Sequence, residues 1–178
     1  MNIQSFENSH PEIAPGVFVH ASALVIGDVC IGSDSSVWPF TIVRGDVNSI
    51  RIGSNTNIQD NSVLHVTHDG PYKPGGYGLE IGDNVTVGHR VILHGCKVGN
   101  HCLIGMGATV MDGAVLEDKV LLGAGSLVTP GKKLESGYLW MGSPAKRARK
   151  LTDEEIESLE YSAQHYVRLK NRYLDDMP

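Results

Sequence analysis

Residues 98–128 read VGNHCLIGMGATVMDGAVLEDKVLLGAGSLV, and they carry the clearest structural signal in the chain. An aliphatic residue returns every six positions, at Val98, Ile104, Val110, Leu116, Leu122 and Val128. Four positions after each of the first five stands a small or compact residue, at Cys102, Ala108, Ala114, Val120 and Ser126. A period of six fits neither an α-helix nor the alternation of a hairpin strand. It is typical of a β-helix, in which each hexad forms one short side of a coil.

The same period extends back to Ile13 and is interrupted at three places. The interruptions run from Val43 to Ile52, from Leu64 to Ile81, and from Leu93 to Val98. Each one closes a group of three hexads. If a coil holds three hexads, every change of length therefore falls on one edge of a triangular prism. The interruptions predict three hexads per coil, whereas the hand of the coil is not readable from the repeat.

Length and composition restrict the function further. The 178 residues suit one domain, 1–178, and 21 glycines with 6% aromatic residues suit narrow aliphatic coils with glycine relieving the corners. A formal charge of −5 provides no basic face for nucleic acid, and no run of residues is long and apolar enough to cross a membrane. The start lacks a signal-peptide pattern, and Cys30, Cys96 and Cys102 form no CxxC pair. We therefore expect reduced thiols and a cytoplasmic protein.

The C-terminal part of the chain changes from the hexad period to helical spacing. Thr152-Asp153-Glu154-Glu155 has the pattern of a capping box, and apolar residues then recur at helical intervals as far as Tyr173. We predict a β-helix over 11–135, a link over 136–151 and a C-terminal α-helix over 152–174.

Three of the eight histidines occupy related places in the repeat. His65 and His94 each directly follow an aliphatic position, one coil apart, so we expect them to stack in a column with Arg44. His89 belongs to the hexad before His94, and Asp60 lies one coil below it. An extended chain separates His89 from His94 by up to about 16 Å, whereas nitrogens on one zinc ion lie about 3.4 Å apart. One chain cannot readily supply all three ligands, and a three-sided prism favours a cyclic trimer whose neighbour supplies one.

Motifs spread over nearly the whole chain resemble those of the γ-class carbonic anhydrases, especially their bacterial γ-carbonic-anhydrase-like branch. These motifs are Arg44-Gly45-Asp46, Gln59-Asp60-Asn61, His65, Gly88-His89 and His94-Gly95. The resemblance implies a left-handed parallel β-helix, a homotrimer and a metal at each subunit interface. The ligands would be His65 and His94 from one chain and His89 from the next. The metal would be Zn²⁺, with Fe²⁺ or Co²⁺ as replacements.

The resemblance also implies an activity, the hydration of CO₂ to bicarbonate. The metal would lower the pKa of a bound water, and the resulting metal-bound hydroxide would attack CO₂. Gln59 would position that hydroxide or the substrate. Arg44, Asp46 and Asp60 would form an ionic network across the interface, and Tyr161 on the terminal helix would orient the substrate.

One departure from the family pattern concerns proton export. The most active members carry glutamates in loops near the metal, but here Val47 follows Asp46, and the insertion from Gly70 to Leu79 has no acidic residue. His68, which borders the loop over 70–80, is an alternative proton carrier. Because fast hydration needs proton transfer to solvent, we expect weak hydration activity.

Two other functions stay open on the sequence. The same scaffold suits an acyltransferase or a CoA-thioester hydrolase that uses one histidine as a base and needs no metal. It also suits a non-enzymatic trimeric scaffold, whose metal would be structural and have a closed coordination shell.

Overall fold

The computed structural model describes residues 2–176, which form a series of short strands followed by one long helix. The elements in chain order are β1 Ile3–Gln4, β2 Glu12–Ile13, β3 Phe18–Val19, β4 Leu24–Ile31, β5 Ser36–Val37, β6 Ile42–Ile52, β7 Asn57–Ile58, β8 Val63–His65, β9 Leu79–Ile81, β10 Thr86–Val87, β11 Ile92–His94, β12 Lys97–Val98, β13 Leu103–Ile104, β14 Thr109–Val110, β15 Val115–Leu116, β16 Leu121–Leu122, β17 Leu127–Val128, β18 Lys133–Leu134, β19 Tyr138–Gly142, β20 Ala145–Lys150 and α1 Asp153–Asp175.

The strands wind around the three faces of a prism. Face 1 consists of β3, β5, β7, β10, β13, β16 and β19. Face 2 consists of β1, the first halves of β4 and β6, and then β8, β11, β14 and β17. Face 3 consists of β2, the second halves of β4 and β6, and then β9, β12, β15 and β18. The architecture is mainly β and matches a left-handed parallel β-helix of hexapeptide repeats with a C-terminal helix.

The pairing register confirms three hexads per coil. Leu93 pairs with Leu64 of the previous coil and with Val110 of the next one. All three interruptions lie between face 2 and face 3: one within β6, one in the loop between β8 and β9, and one in the turn between β11 and β12. The inward aliphatic side chains from Val25 to Leu134 are buried and form one narrow core, against which the partly buried Ile13 and Val19 of the first hexads pack.

The glycines at the edge between faces 3 and 1 serve a purpose that the composition did not reveal. Gly82 does not adopt a positive φ, but a Cβ there would lie 2.5 Å from Asn100 Oδ1 of the next coil. The left-handed conformation is adopted two residues later, by Asn84 at φ 54°. Asn100 Oδ1 accepts a hydrogen bond from Asp83 N at 2.9 Å, so this glycine permits a close contact between coils instead of relieving the corner.

The predicted link and helix close the C-terminal end of the prism. Within the link, β19 and β20 form an antiparallel hairpin. Helix α1 begins after Thr152, whose hydroxyl accepts from Glu155 N while Glu155 accepts from Thr152 N, as the capping-box pattern predicted. The helix then runs back over face 1, where Leu159 and Ala163 are buried. No helix among residues 2–176 is long and apolar enough to cross a membrane.

Two further features concern the ends of the prism. Strand β1 pairs with Val25 and Ile26, so parallel pairing begins before residue 11. Near the other end, Lys170 is buried against the first coils, and its Nζ donates to Asp34 Oδ1 at 2.6 Å. The helix therefore spans the prism from its last coils to its first.

Candidate metal centre

The double-histidine edge is the edge between faces 2 and 3, formed by Arg44, Asp46, His65, His94 and Asp112. His65 ends β8 and His94 ends β11, and the two residues are register partners, as the repeat predicted. His65 Nδ1 lies 3.1 Å from His94 Nε2. Arg44 lies one coil before His65 and two before His94, because Val43 pairs with Leu64 and Leu64 pairs with Leu93.

The far nitrogen of each of these two rings faces a carboxylate. His65 Nε2 donates to Asp46 Oδ1 at 3.1 Å, and His94 Nδ1 donates to Asp112 Oδ1 at 2.6 Å. Burial opposes ionisation of Asp46, but hydrogen bonds from Arg44 and His65 outweigh it and hold the pKa of Asp46 below its ordinary value. Burial also lowers the pKa of His65, against the pull of Asp46. A carboxylate only accepts, so the proton of each neutral ring lies on the nitrogen that faces it.

Asp112 is a site residue that the sequence reasoning missed. It stands opposite Gly95 in the next coil, since Leu93 pairs with Val110. A Cβ on Gly95 would lie 2.4 Å from Asp112 Oδ1, and Gly95 has a φ of +51°. The glycine after His94 therefore leaves the space through which Asp112 reaches the ring. A glycine after a candidate ligand, with an acidic residue one coil later, was the signal that could have revealed Asp112.

The single-histidine edge is the edge between faces 1 and 2, where Asp60 and His89 lie one coil apart, as predicted. His89 Nδ1 donates to Asp60 Oδ2 at 2.9 Å, which leaves Nε2 as the outward nitrogen. This edge lies across face 2 from His65 and His94. Among residues 2–176 of the single chain, no three His, Cys, Asp or Glu side chains are arranged to hold a metal ion.

Comparison with known proteins shows that the chain is related to hexapeptide-repeat proteins. A family model described as "Bacterial transferase hexapeptide (six repeats)" matches residues 78–110 and 95–130. Protein YrdA of Escherichia coli is 51% identical over 173 residues, covering 97% of this chain and 94% of that protein. The mitochondrial gamma carbonic anhydrase 2 of Arabidopsis thaliana is 49% identical over 95% of this chain, but this match spans only 59% of the plant protein. A Bacillus cereus crystal structure titled as a putative acetyltransferase superposes with a TM-score of 0.90 at 39% identity, covering 96% of this chain and 95% of that one.

The chain belongs to the γ-carbonic-anhydrase-like family of hexapeptide-repeat proteins. Four of the family's motif residues, Arg44, Asp46, His65 and His94, meet at one edge. Of the predicted ionic network, the structure contains an ion pair between Arg44 and Asp46 of the same chain. Asp60 instead contacts His89, so whether these charges join across an interface stays a prediction.

Two other predicted site residues of this γ-class chain do not reach the histidines within one subunit. Gln59 is only 5% exposed beneath α1, and its Nε2 donates to Asn57 Oδ1 at 3.0 Å. Tyr161 is 65% exposed on α1, where its ring stacks near His165 with centroids 6.4 Å apart. The roles of Gln59 and Tyr161 therefore remain predictions from the family pattern.

The insertion between β8 and β9 adds detail to the question of proton export. His68 is exposed at its start. Asp69 is the acidic side chain at the start of this loop, and its Oδ1 accepts from Gly75 N at 2.6 Å. This hydrogen bond ties Asp69 Oδ1 into the loop, and both His68 and Asp69 are exposed where the insertion begins.

Proposed function

We propose that the protein is a metal-dependent γ-class carbonic anhydrase that hydrates CO₂ to bicarbonate at sites between the subunits of a homotrimer. One observation carries the proposal: His65 Nδ1 and His94 Nε2 face each other at 3.1 Å while Asp46 and Asp112 hold the protons on the opposite nitrogens. Two nitrogen lone pairs at this distance repel each other unless a cation or an added proton lies between them. Burial lowers the pKa of His65 and so disfavours the added proton.

The residues present fit the metal that the family implies. Nitrogens bound to one tetrahedral ion lie about 3.4 Å apart, close to the observed separation. Metal-binding histidines commonly donate their second N–H to a carboxylate, as His65, His94 and His89 all do here. Imidazole nitrogens are suitable ligands for Zn²⁺, Fe²⁺ and Co²⁺. When bound, such an ion supplies Lewis acidity and lowers the pKa of water.

The position of the two half-sites on opposite edges of face 2 supports the proposed trimer. Within one chain, face 2 separates His89 from His65 and His94, so another copy must bring its His89 to this pair. A head-to-tail contact joins one chain's single-histidine edge to the next chain's double-histidine edge, and three prisms close such a ring with face 2 inside. Val63 and Ile92 on this face are 39% and 42% exposed, which supports burial there. Hexapeptide β-helix proteins generally form trimers.

The chain's own residues would divide the remaining work. Arg44 holds Asp46, which together with Asp60 and Asp112 fixes the ring orientation of the three histidines. Gln59 and Tyr161 would position CO₂ or water once a neighbouring subunit completes the site. His68 would carry the released proton towards solvent, and because the insertion from Gly70 to Leu79 has no acidic residue we expect slow hydration. Free Cys30, Cys96 and Cys102 favour the cytoplasm as the location.

Subunit complementation tests the proposal. Chains carrying His89→Ala or His94→Ala should each lose metal and hydration when they form trimers alone. After joint unfolding and refolding at equal amounts, about a quarter of the interfaces should unite two intact edges and regain both properties. Mixing His65→Ala with His94→Ala is the matched control, because both changes damage the same edge and no site can recover. Failure of the first mixture to recover metal would contradict the shared site.

Metal content and hydration are to be measured together on the zinc form and on an anaerobic iron form. Normal metal content without hydration in any form would disprove the enzymatic part alone. Cobalt spectroscopy with an added anion would then separate an open shell from the closed shell of a structural metal.

An acyltransferase is a second candidate because the Bacillus cereus relative carries that title. It predicts that the protein consumes acetyl-CoA by acyl transfer or thioester hydrolysis, and that chelators leave this activity unchanged. Chelator-insensitive turnover of acetyl-CoA would favour this function over carbonic anhydrase.

A further inference from the structure

A chain of buried hydrogen bonds connects Gln59 to the terminal helix. Gln59 Nε2 donates to Asn57 Oδ1 at 3.0 Å, and Asn57 Nδ2 donates to Thr86 Oγ1 at 3.0 Å. Thr86 Oγ1 in turn lies 3.0 Å from Ser162 Oγ of α1. Asn57, Gln59 and Thr86 are 1%, 5% and 4% exposed, so water has little access to compete for these bonds.

The donor and acceptor groups determine the direction in which this series of hydrogen bonds runs. Asn57 presents its oxygen to Gln59 and its NH₂ group to Thr86, so a reversed amide would place two donors together at Gln59. The Thr86 hydroxyl accepts from Asn57, and its oxygen also shares a hydrogen bond with Ser162 Oγ, in which either hydroxyl can donate. Without that hydroxyl, Asn57 Nδ2 would keep only Val85 O at 3.4 Å. The Val85 carbonyl can only accept, so this carbonyl and the Thr86 hydroxyl together hold the Asn57 amide in this orientation, and the hydroxyl is the nearer acceptor. Gln59 Oε1 is the end of its amide left for other partners in the described chain.

We propose that helix α1, through Ser162 and Thr86, fixes the orientation of the Gln59 amide, which makes Ser162 and Thr86 positioning residues for the metal centre. The effect on catalysis rests on the proposed function, whereas the effect on the amide does not. Helix α1 thus both covers face 1 and sets which amide atom Gln59 offers to a substrate.

Nuclear magnetic resonance of the side-chain amides tests this inference in the full-length trimer. The sequence contains three glutamines, Gln4, Gln59 and Gln164, so [¹⁵N]glutamine labelling gives few signals, and Gln59→Met assigns the relevant pair. Thr86→Val and Ser162→Ala should shift the Gln59 signals and speed exchange of its amide protons with solvent by up to about tenfold. Gln4, in β1, provides the internal reference.

Two control variants distinguish positioning from general damage. Ser158→Ala removes a hydroxyl of α1 that donates to Glu155 O, away from face 1, and should leave the Gln59 signals unchanged. Thr86→Ser restores the hydroxyl and should recover them. Unchanged Gln59 signals and exchange in both Thr86→Val and Ser162→Ala would overturn the inference.

The same variants connect the amide to turnover. We expect Thr86→Val and Ser162→Ala to lower kcat severalfold at unchanged metal content, with Thr86→Ser restoring it. Altered Gln59 signals combined with normal kcat would overturn the link to catalysis. Absence of hydration in every metal form of the wild-type protein would count against the proposed function alone, and the amide measurements would still decide the positioning role.

Discussion

Faces 1 and 2 of the prism are built from the same hexads, yet they differ in what covers them. On face 1, the outward side chains of Asn57, Gln59 and Thr86 are buried under the chain's own helix and bonded to one another. On face 2, Val63 and Ile92 are exposed, a pair of histidines stands at one edge and a single histidine stands at the other. The inward residues determine the coil, whereas the outward residues determine what each face binds. Face 1 is completed within the chain, and in the proposed trimer face 2 would be covered by another copy.

A charged side chain introduced on face 2 should have the largest effect on assembly and metal content. Ile92→Lys would place an ammonium group in the middle of the proposed trimer contact, where desolvation is costly. We expect sedimentation velocity to show monomers, and metal content per chain to fall at least about tenfold because each site loses its third ligand. Val115→Lys is the matched control, since Val115 lies on face 3 between Lys97 and Lys133 of the neighbouring coils. A trimeric Ile92→Lys protein with full metal content would contradict the assignment of face 2.

Removal of an orienting carboxylate should have a smaller effect at the edges of the same face. Asp112→Ala frees His94 to rotate and removes the acceptor of its N–H, so we expect metal affinity to fall about 10- to 100-fold with the trimer retained. Asp60→Ala should cause a similar fall through His89 at the opposite edge. Asp28→Ala, which breaks an exposed ion pair with Arg51, is the control and should leave metal affinity unchanged. Competition with a chromogenic chelator measures all three variants.

The sequence predicted those contacts that the repeat itself specifies. Residues at the same place in successive hexads must stack, which is why His65 with His94 and Asp60 with His89 could be paired in advance. The column argument missed Asp112, because this residue contacts His94 diagonally, over Gly95, and stacking in columns identifies only vertical neighbours. The environment of Gln59 was equally hidden, since it depends on which face α1 covers, and the hexad period contains no information about that.

Weakening the contact between the helix and the first coils tests how face 1 is covered. Lys170 is 1% exposed, and its Nζ donates to Asp34 Oδ1 and Asn171 Oδ1, both at 2.6 Å. Lys170→Met removes these bonds while keeping most of the buried chain length. Because Asp34 remains partly hydrated, we expect the free energy of unfolding to fall by about 2 kcal/mol, measured by urea titration. Arg168→Met, on the exposed side of α1, should cost less than about 0.5 kcal/mol. Equal losses in both variants would contradict a specific role for the buried lysine.

The smallest effect on stability should come from the first turn of that helix, where the contribution of Glu155 depends on pH. A bidentate pair with Arg149, and then the backbone N–H of Thr152, lower the pKa of Glu155 from 4.5 to about 2. A lowered pKa in the folded state means that this stabilisation is complete above pH 4.5 and is lost as the pH falls towards 2. Glu155→Gln lacks that titration. The difference in Tm between wild type and variant should therefore be constant above about pH 5, amount to a few degrees at most, and shrink as the pH approaches 2. Calorimetry from pH 6 to pH 2.5 measures it, and a difference that grows on acidification would show that the pair with Arg149 does not stabilise the helix start.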